Sequence, residues 1–352
     1  MTLFDPNAAA KPGSGIFGLS HTPEEAGVVL VPVPWEATVS FRAGTAAGPA
    51  AIRQASMQVD LFDLAVGRPW VPELYEPEAC RAYLAGIAML DAPEEVARWN
   101  DEARTAARSV IEAGGAGSNH PAVAQVNALG EKLNAHVQAE VSRWLEAGKL
   151  VGVIGGDHSV SLGALRAVLR RHPNAGVLHI DAHADLRPAY EGFTYSHASV
   201  MHNALADNPE MTLAQVGLRD VCDAEVQAIE EGAGQITAFY DAELAEGILD
   251  GQSWSRQCER VVEVLPRSVY VSLDIDALEP SLCPATGTPV PGGMSWHQID
   301  HLLGTMVRCG RTIVGFDLVE VAGQEWDATV GARLLYRLIG WALKSRRRGG
   351  MD

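Results

Sequence analysis

Histidine and aspartate side chains follow three short apolar runs of this sequence. The stretches are residues 155–159 (GGDHS), 181–185 (DAHAD) and 272–276 (SLDID), and the residues before each are typical of a buried β-strand. An open α/β sheet binds its ligands beyond the carboxyl ends of its strands. We therefore expect the three stretches to meet at one edge of a sheet.

The spacing within the stretches brings their polar side chains onto common faces. In an extended chain, side chains at i, i+2 and i+4 share a face, so Asp181, His183 and Asp185 point together. Asp274 and Asp276 share a face for the same reason. A single aspartate at a strand end is usually a cap or a turn former, but several buried carboxylates this close would repel one another strongly without cations.

The residue types therefore predict a site for two divalent metal ions. Carboxylate and imidazole donors without cysteine suit Mn(II) and its neighbours, so we expect two Mn(II) ions per subunit, with Ni(II) or Co(II) as alternatives. The predicted ligands are His158, Asp181, His183, Asp185, Asp274 and Asp276.

These motifs resemble those of the ureohydrolases, the arginase and agmatinase family. GGDHS, DAHAD and the segment SLDIDALEPSLCPATGTPVPGG occur in the family's order, and the resemblance covers roughly residues 29–343. It implies a three-layer arginase-like α/β fold with a binuclear metal site. The alternation of strand-like and helix-like segments after residue 151 by itself favours a parallel sheet with helices on both faces.

The resemblance also implies the role of each site residue. The first implied metal set is His158, Asp181, Asp185 and Asp274, and the second is Asp181, His183, Asp274 and Asp276. Asp181 and Asp274 would then bridge the ions. His197, in YEGFTYSHASVM, matches the family's active-site histidine, and Glu320, after TIVGFDLV, matches the glutamate that pairs with guanidinium. We count Asp185 with these two as candidate catalytic residues.

The implied chemistry is hydrolysis of a guanidino C–N bond. A metal ion lowers the pKa of bound water from about 15.7 to about 7, so two ions can hold hydroxide for attack on the guanidino carbon. Glu320 would fix the guanidinium through paired N–H to oxygen contacts, and His197 would protonate the departing amine. The products would be urea and a primary amine.

The segment 31–53 also matches the family's first strand and the loop that follows it. Within it, Trp35 and Glu36 come just after the strand, at the same end of the sheet as the metal ligands. We expect them to line the substrate entrance, with a purely structural role as the alternative.

The choice of substrate rests on the loop around His197. This loop, PAYEGFTYSHASVMHN, lacks the SGN pattern of arginases, whereas an acidic and aromatic entrance with Glu36, Glu191, Trp35 and Tyr195 suits a cationic amine such as agmatine. We therefore expect an agmatinase-like enzyme that converts agmatine to putrescine and urea. Because the agmatinase-like GHGTPF is replaced too, guanidine, guanidino acids, formiminoglutamate and arginine stay open. A noncatalytic scaffold of the same fold is the rival from another class.

Length and composition favour one large domain. The chain has 352 residues, 47% of them hydrophobic. We expect an N-terminal arm over residues 1–25, then a single arginase-like domain over 26–352 with a helical insertion at about 69–148. Within the insertion, an apolar stripe predicts an amphipathic helix. Its members are Val126, Leu129, Leu133, Val137, Val141 and Leu145.

Charge and cysteine usage restrict the partners. The formal net charge of −17 argues against nucleic acid, although the tail at 344–350 is basic and is expected to be a solvated end. No apolar run reaches the length of a membrane span, no secretion signal is visible, and the five scattered cysteines read as reduced thiols. We expect a cytoplasmic enzyme with a small cationic guanidino substrate, and the family resemblance implies a homotrimer or homohexamer.

Overall fold

The computed structural model describes residues 4–11 and 13–349. In this part of the chain, eight strands form one parallel sheet. The strands are β1 Val28–Val33, β2 Ile87–Met89, β3 Leu150–Gly155, β4 Gly176–Ile180, β5 Leu213–Leu218, β6 Ile236–Tyr240, β7 Ser268–Asp274 and β8 Thr312–Val319. Their order across the sheet is β2-β1-β3-β8-β7-β4-β5-β6, and every neighbouring pair is parallel.

Helices cover both faces of the sheet. They are α1 Gly48–Ala55, α2 Leu64–Gly67, α3 Glu94–Glu112, α4 Pro121–Glu146, α5 Ser161–Arg171, α6 Val200–Asp207, α7 Asp223–Glu231, α8 Asp241–Leu249, α9 Trp254–Glu263, α10 Trp296–Arg308 and α11 Glu325–Gly349. Helices α3 to α7 pack with one apolar cluster, and α1 with α8 to α11 pack with the other. The predicted three-layer fold is confirmed.

Both sides of the central strands are buried, as a parallel sheet between two helical layers requires. All residues of β1, β3, β4, β5 and β8 are buried, which is why these strands read as nearly unbroken apolar runs in the sequence. The predicted stripe of α4 also faces the core, with Leu129 half-buried and the other five members buried. The alternation predicted after residue 151 missed the helix α8, and the short elements α2 and β2 before that residue were not predicted.

The basic tail is only partly the solvated end that the sequence predicted, because Arg347 and Arg348 are exposed but Lys344 is buried. Through Gly349 it continues α11, and Lys344 is only 4% exposed. The Lys344 ammonium lies 3.3 Å from the Glu76 carboxylate, and Arg348 donates to Glu76 at 2.6 Å. The residues beyond Gly349 lie outside the described part of the chain. These ion pairs hold the segment against Glu76, and the linear charge pattern does not show them.

Part of the N-terminal segment also joins the core. Ile16, Phe17 and Leu19 are each at most 2% exposed, and the Phe17 N–H donates to Ser56 Oγ at 2.9 Å. In the described ranges, no helix combines the length and the apolar character needed to span a lipid bilayer.

Four neighbouring central strands carry the motifs found in the sequence. Strand β3 leads into His158, β8 into Glu320, β7 ends at Asp274, and β4 leads into Asp181. Because β8 and β7 lie between β3 and β4, the connection from β3 crosses over two strands, and the carboxyl ends of all four lie at one edge of the sheet. Parallel pairing thus brings segments that lie over 100 residues apart in the chain to one edge.

The contact between β3 and β8 depends on a glycine. Gly152 lies opposite Phe316 in the register, and a Cβ at Gly152 would lie 2.2 Å from the Phe316 ring. We predict that Gly152→Ala lowers the free energy of unfolding by about 1–3 kcal/mol through overpacking. Gly117→Ala is the control, since nothing lies within 4 Å of a Cβ there. Chemical denaturation measures both; equal stability of the two variants would contradict the close approach.

Candidate metal centre and active site

The turn after β3 delivers His158 to the centre of the site. The turn requires glycine at position 156, because a Cβ there would lie 2.0 Å from the carbonyl oxygen of Trp35. Asp157 then caps the short 3-10 helix that follows, with its carboxylate accepting the Ser159 N–H at 3.1 Å. The His158 side chain is therefore placed by backbone contacts that no larger residue at 156 would permit.

Three carboxylates surround one ring nitrogen of His158. Its Nδ1 lies 2.9 Å from Asp181 Oδ2, 3.1 Å from Asp185 Oδ2 and 3.3 Å from Asp274 Oδ2. One nitrogen carries at most one hydrogen, so it cannot serve three acceptors at once. A cation among these atoms would satisfy all of them.

The other ring nitrogen of His158 fixes the tautomer. Ser272 Oγ has a single hydrogen, which it donates to Asp317 Oδ1 at 2.9 Å, so it accepts from His158 Nε2 at 2.9 Å. The neutral ring then carries its hydrogen on Nε2 and presents the Nδ1 lone pair to the carboxylates. This is the tautomer that a metal ligand needs.

Backbone amides hold one oxygen of each of three aspartates. Asp181 Oδ1 accepts the His183 N–H at 2.6 Å, Asp274 Oδ1 accepts the Asp276 N–H at 2.7 Å, and Asp276 Oδ1 accepts the Ala182 N–H at 3.1 Å. The second oxygen of Asp276 lies 3.0 Å from His183 Nδ1. The carboxylates are thus oriented, each with an oxygen turned toward an imidazole.

The electrostatics of the cluster show a strong excess of negative charge. Burial raises the pKa of Asp274 well above its usual range, and the charges of Asp276 and Asp181 add to this. Burial opposes protonation of His183, but the same two carboxylates outweigh it and raise the pKa of the imidazole to about 12. Protons or cations must balance such a cluster, and divalent ions would displace the protons.

The structure brings together all six residues predicted as metal ligands. Oxygen and nitrogen donors of five of them converge in two groups that share Asp181, which fits a pair of adjacent divalent ions. The sixth, Asp274, belongs to neither group, but its Oδ2 lies 3.3 Å from His158 Nδ1. One group also contains His179, which the sequence prediction left out. The spacing of two that aligned Asp181, His183 and Asp185 extends back to this residue and could have identified it.

His179 is a hydrogen-bond partner of Asp181, and neither of its ring nitrogens is free to bind a metal ion. Gln215 Nε2 has two hydrogens, and it lies 2.7 Å from the Ala184 carbonyl oxygen and 2.9 Å from His179 Nδ1. Nδ1 is therefore an acceptor, and His179 Nε2 donates its hydrogen to Asp181 Oδ2 at 2.8 Å. Both His179 and Gln215 are fully buried, so this chain of hydrogen bonds fixes the orientation of Asp181.

Glu320 lies at the end of β8 beside the cluster. Its Oε1 accepts the N–H of His158 at 2.8 Å, and a Cβ at Gly287, in the ATGTP loop, would lie 3.3 Å from Oε2. Its backbone has a φ of 60°, and Asp185 has a φ of 55°, in the left-handed region that residues other than glycine rarely adopt. Such conformations concentrate at functional sites.

His197 lies in the loop after the DAHAD segment and contacts Thr38. The His197 N–H donates to Thr38 Oγ1 at 3.3 Å, and this oxygen lies 3.4 Å from the imidazole Nδ1. Burial, together with His183 and His158, lowers the pKa of His197 to about 4. The imidazole is therefore neutral at physiological pH and carries both a donor and an acceptor.

The entrance residues expected from the sequence are largely enclosed. Trp35 is 1% exposed and Glu36 is 5% exposed. Glu36 Oε2 accepts the N–H groups of Gly44 at 2.6 Å and Ala46 at 3.0 Å, while Oε1 lies 2.7 Å from Arg104. These contacts give Glu36 a structural set of partners, and a contact of either residue with substrate stays a prediction.

The hydrogen bonds of His179 generate a test that does not depend on catalysis. We predict that Gln215→Leu weakens metal binding by about 10- to 100-fold, because Asp181 loses its oriented partner. Gln257→Leu is the matched control: Gln257 is equally buried, but it donates to the Leu244 carbonyl outside the site. Titration of metal-free protein against a competing chelator measures both affinities; equal affinities would contradict the positioning of Asp181.

Comparison with known proteins agrees with this geometry. The family model described as the arginase family matches residues 26–340. The chain is 34% identical over 330 residues to an N(1)-aminopropylagmatine ureohydrolase of Thermus thermophilus, covering 92% of this chain and 94% of the relative. It is 28% identical to the agmatinase of Bacillus anthracis, covering 87% and 88%. The proclavaminate amidinohydrolase structure from Streptomyces clavuligerus has a TM-score of 0.70 at 23% identity, covering 96% and 100%. This chain therefore belongs to the arginase family.

Proposed function

We propose that the protein hydrolyses the terminal guanidino group of an agmatine-type amine and releases urea. The observation that carries the proposal is the set of four aspartates and two histidines that meet at one edge of the sheet, with Glu320 and His197 beside them. The named activities of the relatives from Thermus thermophilus and Bacillus anthracis support an amine substrate rather than an amino acid.

Two divalent metal ions fit the cluster. The proposed sets are His158, Asp181, Asp185 and Asp274 for one ion, and Asp181, His183, Asp274 and Asp276 for the other. Oxygen donors with two imidazoles suit Mn(II), and Ni(II) or Co(II) accept the same ligands. When bound, the ions supply a nucleophile from water at neutral pH and stabilise the charge that develops during attack. The aspartates, together with His158, would hold both ions in place from three separate segments.

Glu320 would bind the guanidinium group. Its Oε1 is held by the His158 N–H, so the carboxylate has a fixed orientation before substrate arrives. Burial and the nearby Asp157 raise the pKa of Glu320 well above its usual range, so a positive partner would favour its charged form. A guanidinium supplies that charge and offers two parallel N–H groups to the carboxylate. Binding there would orient the guanidino carbon for attack.

His197 would move the proton to the departing amine. Its neutral ring carries a donor and an acceptor, which is what a proton shuttle requires at physiological pH. Asp185, the third residue counted as catalytic, lies 3.1 Å from His158 and would act through the first ion rather than on the substrate directly.

An acidic side chain on the same loop as His197 would favour a cationic tail on the substrate. Glu191 Oε2 is enclosed and forms no hydrogen bond among residues 4–11 and 13–349. Burial raises the pKa of Glu191, so an ammonium group would be a favourable partner. Glu191 precedes His197 on the same loop, and the ring of its neighbour Tyr190 lies 6.1 Å from the His197 ring. We therefore favour agmatine and its N1-aminopropyl derivative over arginine, guanidine, guanidino acids and formiminoglutamate.

A homotrimeric or homohexameric assembly and a cytoplasmic location remain part of the proposal. The family resemblance supports the assembly, and the scattered cysteines support the location.

A substrate panel tests the proposed reaction. With Mn(II) supplied, we expect urea from agmatine or N1-aminopropylagmatine at a kcat/KM at least about tenfold above that for arginine, because an unpaired carboxylate favours a second cation. Guanidine and guanidinobutyrate complete the panel. Urea is measured together with the bound metal on the same sample. Fully loaded protein that releases no urea from any of these compounds would favour the noncatalytic scaffold.

Substitution of the two proposed active-site residues separates their roles. Glu320→Gln should lower kcat/KM by about 10- to 100-fold through loss of a charge-assisted contact. His197→Asn should lower kcat by about 10²- to 10⁴-fold with little change in KM. His297→Asn, an exposed histidine in α10, is the control. Steady-state kinetics at equal metal content decide the result, and a His197→Asn enzyme with wild-type kcat would exclude the shuttle.

A further inference from the structure

We propose that the hairpin, defined as α3, α4 and the connecting residues 113–120, is a positioning device for His197. This inference rests on the proposed function, since that function gives His197 its role. The His197 loop, defined as residues 187–197, contacts the hairpin through a buried ring, through side-chain and backbone hydrogen bonds, and through a close approach at a glycine.

The buried ring is Phe193, which joins the His197 loop to the hairpin. Phe193 is 0% exposed and lies in a small apolar cluster separate from the two large ones. The other members of this cluster all come from the hairpin: Ala107, Val110, Val123 and Val126. Because the hairpin surrounds the ring, the loop cannot leave the surface without exposing Phe193 to water.

Polar contacts fix the residues on both sides of Phe193. Asn127 of α4 accepts the Thr194 N–H on its Oδ1 at 2.9 Å, and its Nδ2 donates to Thr194 Oγ1 at 3.4 Å. The Ala116 N–H donates to the Glu191 carbonyl oxygen at 3.1 Å. The loop is thus held to the hairpin on two sides.

A glycine of α4 allows the loop to lie this close. A Cβ at Gly130 would lie 3.0 Å from Tyr195 Cβ and 3.3 Å from its ring. The contact region therefore runs along the loop from Glu191 to Tyr195, and His197 follows two residues later. Tyr190 and Phe193 also exchange backbone hydrogen bonds at 3.1 and 2.8 Å, which closes a tight turn within the loop.

The hairpin reaches His197 by a second route as well. Asn100 of α3 accepts the Glu36 N–H at 2.8 Å, and Arg104 of α3 pairs with the Glu36 carboxylate at 2.7 Å. Glu36 in turn holds the backbone N–H groups of Gly44 and Ala46. It therefore ties both ends of the segment 36–46 to α3, and Thr38 lies inside that segment. On this inference Glu36 is a positioning residue, not a substrate contact.

Thr38 completes the connection and orients the imidazole. Its Oγ1 accepts the His197 N–H at 3.3 Å and lies 3.4 Å from the ring nitrogen Nδ1, so Thr38 contacts both the backbone and the ring of His197. An error of about 1 Å in the position of a catalytic group can cost on the order of 100-fold in rate. The hairpin contacts both the His197 loop and the segment 36–46, and both contacts would keep His197 in position.

Asn127 is the best site for a test, because it touches neither the metal ligands nor His197. Asn127→Leu removes the acceptor for the Thr194 N–H, whereas Asn127→Asp keeps it. We expect Asn127→Leu to increase amide hydrogen exchange in residues 190–197 about tenfold or more and to lower kcat about 10- to 100-fold, with KM and metal content near wild type. In Asn127→Asp, hydrogen exchange in residues 190–197 and kcat should both stay close to the wild-type values. Phe193→Ala should act in the same direction as Asn127→Leu.

Val137→Ala controls for a general loss of stability. Val137 is also buried on α4, but it packs in the large cluster rather than against the His197 loop. It should lower the melting temperature without raising exchange in residues 190–197 or changing kcat. Wild-type exchange or wild-type kcat in Asn127→Leu would overturn the positioning role alone. A metal-loaded wild-type enzyme that is silent on the whole substrate panel would overturn the proposed function and this inference together.

Discussion

Four carboxylates and a buried imidazole occupy one small volume of this protein almost without contact to water. Each of the four aspartates is at most 4% exposed, and so is His158. Repulsion between like charges grows as water is excluded, so the arrangement is stable only if protons or metal ions balance it. The surrounding hydrogen bonds follow from this constraint, since each holds a donor atom in the orientation that a shared cation needs.

The sheet makes this arrangement possible. Strands β3, β8, β7 and β4 are neighbours, although their segments are far apart in sequence, and parallel pairing aligns their carboxyl ends. Backbone N–H groups just beyond the strands hold one oxygen of an aspartate, as at Asp181, Asp274 and Asp276. The neighbouring Ser272–Asp317 and Gln215–His179 pairs then fix the tautomers of the imidazoles that face the cluster. Geometry and protonation state are therefore determined together.

Away from the cluster, the hairpin contacts the two segments that lie against His197. Phe193, Asn127 and Glu36 each join a hairpin helix to a segment that contacts His197. This explains why Glu36, which reads in the sequence as an acidic entrance residue, has its carboxylate turned toward loop amides and Arg104 instead. A buried carboxylate is stabilised by accepting hydrogen bonds from backbone N–H groups that would otherwise have no partner.

The sequence by itself determined the strand and helix alternation, the three-layer class and the six candidate ligands. Local spacing carries this information, because a period of two aligns side chains on one face and apolar runs mark buried strands. It could not show that Lys344 would be buried beside Glu76, that His179 would hold Asp181, or that Phe193 would enter the hairpin. Those contacts join residues whose chemistry is ordinary when each is taken alone. Only the tertiary structure decided them, because hydrogen-bond partners and burial depend on which distant segments pack together.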